Sequence, residues 1–94
     1  MRPEEARGLY LRGTIGARSY SVLVLEVRTY HMRETPEAQP VEMWTLTFEG
    51  VSEGWRLGPW IVDVEASKAS PETIRQAVEA VSYTHLTLPT KRIV

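Results

Sequence analysis

From Leu9 to Glu65 hydrophobic and polar residues alternate mostly with period two, the mark of strands that bury one face. The longest such run is Tyr20 to Tyr30, YSVLVLEVRTY, rich in the β-branched and aromatic residues that suit a central strand. Strict alternation puts Leu23, Leu25 and Val27 on one face, expected to be the core face, and Val22, Val24, Glu26 and Arg28 on the other. The second face begins apolar and turns charged, so one of its ends is expected to be covered and the other to meet water.

The flanking segments fall into place around this strand. Leu9 to Ile15 is a first strand, and the glycine-containing connection Gly16 to Ser19 makes it an antiparallel neighbour of the second. His31 to Pro40 holds two prolines and no apolar periodicity, and is expected to be a long exposed loop. Val41 to Gly50 gathers Trp44, Leu46 and Phe48 on one face, expected to pack with Leu23, Leu25 and Val27. A turn at Val51 to Gly54 leads into a fourth strand in which Trp60, Val62 and Val64 point inward. Gly58-Pro59 marks an edge position or a bulge there. Met1 to Gly8 is charged and proline-containing, and is expected to be a loose arm.

The period changes after Ser70. Ser70 can cap a helix, Pro71 suits its first position, and Glu72 meets the positive end of its dipole. Ile74, Ala77, Val78 and Val81 then form one apolar stripe. The pattern predicts an α+β fold: a four-stranded, mainly antiparallel meander sheet with one carboxyl-terminal amphipathic helix packed on one face. Residues 1–81 form a single small domain in this reading, and resemble no protein family.

Residues 82–94, SYTHLTLPTKRIV, differ in character: they hold no acid and one of the chain's two lysines, and no glycine or asparagine stops the helix before them. This tail resembles the peptide obtained when a short-read sequencing adapter is translated in frame. The resemblance implies that the tail is not native and that the domain is truncated at its carboxyl end. The alternative is a fifth strand in which Thr84, Leu86 and Leu88 alternate with Tyr83, His85 and Thr87.

Composition narrows the function classes. With 94 residues, 43% hydrophobic and 24% charged, the chain is one small globular domain. The absence of cysteine excludes disulfides, thiolate metal sites and thiol nucleophiles, and no apolar run approaches the ~20 residues of a membrane span. A soluble, cytoplasmic protein without membrane association is expected. Net charge is −1, and residues 1–81 carry nine basic against twelve acidic side chains, which argues against nucleic acid as partner.

Candidate chemistry is sparse. His31 is the single histidine before the tail and has no motif partner, so neither metal nor cofactor is expected. Glu26 with Arg28, and Asp63 with Glu65, read as the charged side of a half-exposed sheet. Gly13 and Gly16, like Gly50 and Gly54, lack the lysine and the strand-to-helix setting of a phosphate loop, and read as turn glycines.

The tryptophans are more informative. Trp44, Trp55 and Trp60 are expected in the core under the helix, with an exposed Trp55 beside Leu57 as the alternative that would make a binding patch. Val22 and Val24 join Trp55 and Leu57 as candidate binding residues, because they would stay wet unless a partner protein, further sequence or a second copy covered them. The favoured reading is a non-catalytic binding or accessory module acting through protein contact. The alternative is an enzyme fragment whose site would bring Glu42, Glu49, Asp63 or His31 together in a pocket. Nucleic-acid binding would instead require Arg12, Arg18, Arg28 and Arg56 to converge.

Overall fold

The computed structural model describes residues 1–87. The elements are α1 (Pro3–Ala6), β1 (Tyr10–Ile15), β2 (Arg18–Met32), β3 (Val41–Ser52), β4 (Trp55–Glu65), a 3₁₀ turn (Ala66–Lys68) and α2 (Pro71–Thr87). The strands form one antiparallel sheet in the order β1-β2-β3-β4, and α2 packs across one of its faces, as the pattern predicts.

Turn chemistry sets the register. Gly16 has a positive φ of 62° at the first position of a two-residue turn, which pairs Ile15 with Arg18 and therefore Leu11 with Val22. Glu53 and Gly54 both have positive φ, the turn that matches strand twist and joins β3 to β4.

Two bulges interrupt the alternation. Val24 pairs with Phe48 and Glu26 with Thr47, so Leu25 is an extra residue in β2. Phe48 pairs with Trp60 and Gly50 with Leu57, so Gly58 and Pro59 together oppose Glu49 on the edge strand.

The β2 bulge overturns the expected core face. Val22 and Val24, each 1% exposed, lie in the core, whereas Leu23 and Leu25, each 40% exposed, face away from the helix. Beyond the extra residue the phase reverses, and Val27 packs against the core while Glu26 and Arg28 meet solvent. The helix-side face thus reads Val22-Gly50-Leu57, Val24-Phe48-Trp60, Val27-Leu46-Val62 and Thr29-Trp44-Val64 across the strands. Trp60 meets Phe48 edge to face, with ring centroids 6.1 Å apart.

The helix begins as expected. The Ser70 hydroxyl accepts the Thr73 N–H at 3.1 Å, and its carbonyl accepts the Ile74 N–H. Ile74 and Val78 are fully buried, with Ala77 and Val81 beside them. The Tyr20 hydroxyl donates to Glu79 at 2.6 Å, and the Arg75 guanidinium donates to the Arg12 carbonyl, tying the helix to β1 and β2.

At the ends one expectation is corrected and one alternative is excluded. The amino-terminal arm is ordered: the Glu5 carboxylate accepts the Arg2 N–H, Ala6 is fully buried, and the Gly8 N–H bonds the Val24 carbonyl. At the other end α2 runs on through Thr87, so residues 83–87 are helical and not a strand. Leu88 to Val94 lie outside the described residues.

Candidate protein interaction face

The side of the sheet away from α2 is open. It is built by the residues that alternate with the core positions. Its rows run Arg12-Ser21-Val51-Arg56, Tyr10-Leu23-Glu49, Glu26-Thr47-Ile61, Arg28-Thr45-Asp63 and Tyr30-Met43-Glu65. Leu25 emerges beside Glu26 at the bulge. Tyr10, Leu23, Leu25, Tyr30, Val51 and Ile61 are all exposed large hydrophobics, Ile61 at 61%. Scattered surface apolar residues are ordinary, but a group spread over all four strands on one face is a patch.

Its charges interleave. Arg28 pairs with Glu26 at 3.5 Å and Arg56 with Glu49 at 3.8 Å, both well exposed and so of small energetic weight. Asp63 accepts hydrogen bonds from the Thr45 hydroxyl at 2.9 Å and the Tyr30 hydroxyl at 3.3 Å. Local desolvation and the Asp63 charge together raise the Tyr30 pKa above its usual value. The result is a face with apolar centres and a nearly balanced set of fixed charges.

The residues singled out from sequence fall elsewhere. Val22 and Val24 are core residues under the helix side, and Leu57 is fully buried, so none of the three offers a surface. Trp44 is 2% exposed and Trp60 packs on the core, but Trp55 is 70% exposed at the β3–β4 hairpin, correcting the expectation that all three are interior. Two residues before Leu57 on β4, Trp55 pairs with buried Ser52 and belongs to the rim of the helix-side face.

What sequence reasoning missed is Leu23, Leu25 and Ile61. The signal was parity: any even-length turn after Ile15 pairs odd residues of β1 with even residues of β2, so a buried Leu11 and Ile15 carry Val22 and Val24 inward.

The other candidate arrangements do not assemble. A groove of about 500 Å³ is lined by Pro40, Val41, Glu42, Glu65, Ala66 and Ser67. Glu42 accepts the Trp44 indole N–H and Glu65 the Ser67 hydroxyl, so both carboxylates are engaged by neighbours. Glu49 and Asp63 lie on the open face, and His31 sits across from Glu42 at the sheet's end, outside the groove lining. No group of three or more histidine, aspartate or glutamate side chains suited to a metal ion occurs among the described residues. Arg12, Arg28 and Arg56 share the open face with four acids, whereas Arg18 pairs with core-facing Ile15. No helix among the described residues is long and apolar enough to cross a membrane.

Fold and face together define an α+β domain with a sheet covered on one side. Comparison with protein-family models, curated proteins and solved structures gives no match.

Proposed function

We propose that this chain is a small non-catalytic binding module that acts through protein contact, with the open sheet face as its contact surface. The observation that carries this reading is the set of exposed apolar side chains on that face, Leu23, Leu25 and Ile61 above all, held on a rigid sheet among paired charges. A rigid surface loses little conformational freedom on binding, and apolar centres ringed by polar groups are how protein contacts are commonly built. A cytoplasmic location is part of the same proposal.

A photo-reactive phenylalanine analogue at position 61, with position 76 on the exposed side of α2 as control, tests the reading in extract of cells that express the chain. The expected result is a discrete protein adduct, including an adduct with the chain itself, at position 61 alone. No adduct, or the same adducts from both positions, would overturn it.

We also propose that residues 82–94 are adapter read-through. Supporting this, Ser82 continues the Ile74 and Val78 stripe into the core, where its hydroxyl is fully buried with no hydrogen-bond partner. An uninterrupted read of the source DNA decides it: the same thirteen codons in an unbroken gene would refute the proposal.

A further inference from the structure

The geometry points to a second copy of this chain as the occupant of the open face, an inference that rests on the reading of that face as a contact surface. Two features single out this occupant: the placement of charge and the size of the face.

Arg28 on β2 and Asp63 on β4 flank Thr45 of β3 in one row, and the neighbouring row has Glu26 and Ile61 flanking Thr47, with Leu25 beside Glu26. A twofold axis running along β3 therefore lays β2 of each copy over β4 of the other. Arg28 then meets Asp63 of the second copy, and Ile61 of the second copy meets Glu26, which Arg28 already pairs, with Leu25 beside it. Each contact occurs twice, as an isologous interface requires.

The remaining charges tolerate the arrangement. Arg12 on β1 falls outside the β2-β3-β4 overlap, Glu49 comes near its own equivalent but already holds Arg56, and Glu65 faces the Tyr30 hydroxyl. Sheets packed face to face cross at roughly 30°, so these outer rows diverge while the Thr45 and Thr47 rows stay in register.

The area suits a weak, reversible dimer. The three overlapping strands, about 4.8 Å apart and about ten residues long, cover roughly 500 Å² in projection, below the ~800 Å² that each partner contributes to a standard interface. A mixed-charge face of this kind, with charges nearly balanced, matches itself, whereas a strongly basic or acidic partner would meet like charges on it.

Sedimentation velocity on the purified full chain over about a hundredfold range of concentration tests the inference. The wild type is expected to pass from monomer to dimer. Ile61→Glu, or Leu25→Glu should that variant fail to fold, is expected to weaken association at least about tenfold, the first by setting a like charge against Glu26 of the other copy and the second by burying an unpaired charge against its Ile61. Arg28→Asp alone and Asp63→Arg alone are each expected to be monomeric, and an equimolar mixture of the two to dimerise, because in the mixed dimer one cross-copy pair keeps its native sign and the other is restored with reversed sign.

A wild-type chain that stays monomeric throughout overturns the inference, whether further sequence, another protein or nucleic acid takes the face. A defined heterologous adduct at position 61 would still uphold the contact surface in that case. A dimer indifferent to the substitutions at positions 61 and 25, or charge variants that gain nothing on mixing, also overturns the inference and places the contact elsewhere.

Discussion

Along β2, Val22 and Val24 lie buried while Leu23 and Leu25, interleaved with them, stand 40% exposed on the opposite side of the same sheet. The smaller side chains are inside and the larger ones outside. Hydrophobicity alone would rank them the other way, so the face was chosen by something other than residue type. That something is register. The Gly16-Ala17 turn fixes which residues of β1 and β2 share a side, and α2 brings Ile74 and Val78 down onto that side. The difference teaches that one face is specified by packing and is a core, and the other is left over from it and is free to act as a surface.

Matched truncations break the comparison most forcefully. Phe48→Ala removes a fully buried ring from the helix side and is expected to cost about 3–5 kcal/mol. Ile61→Ala on the open side is expected to cost under about 1 kcal/mol in the monomer. Urea unfolding of both variants checks the pair, and equal losses would mean that the open face is as tightly packed as the core.

Within β3 a backbone contact gives the next largest contrast. Gly50 sits where β2 and β3 approach so closely that an added Cβ would strike the Ser21 carbonyl and come within 2.6 Å of the Val22 Cα. Gly50→Ala is therefore expected to cost about 1–3 kcal/mol, whereas Thr47→Ala on the open face should be nearly silent.

The smallest expected effect concerns pH. Burial first, then the hydrogen bond to Glu79 and its charge, push the Tyr20 pKa up to about 12, with Arg75 opposing the shift. The neutral phenol is the form the fold prefers, so its contribution is complete below pH 10 and is lost as pH rises toward 12. Tyr20→Phe is expected to cost about 1 kcal/mol at neutral pH and to reduce the alkaline loss of stability. Denaturant midpoints measured on either side of pH 10 would show it, and an unchanged alkaline slope would exclude Tyr20 as its source.

Much of the fold could be read from the chain. The alternation of Trp44, Leu46 and Phe48, the inward Trp60, Val62 and Val64, the Ser70 cap and the Gly58-Pro59 interruption each encode a local preference that tertiary packing did not override. The face of β2 was misread because period-two counting assumes an unbroken ladder, and the extra residue at Leu25 inverts the phase halfway. Its trace was visible as a row that begins apolar at Val22 and turns charged at Glu26. The same inversion moves the candidate site: strict alternation places Val22 and Val24 on the surface that Leu23 and Leu25 occupy. Trp55 could not be placed from type alone, since a hairpin-end tryptophan can fold over the core or stand off it, and here it stands off.

Because the chain has no native cysteine, single cysteines at positions 22, 23, 24, 25 and 27 report side-chain access directly through thiol reaction rates in dilute, folded protein. The account predicts fast labelling at 23 and 25, strong protection at 22 and 24, and partial protection at 27, a pattern that changes phase at the bulge. Protection shared by 23, 25 and 27, with fast labelling at 22 and 24, would contradict it.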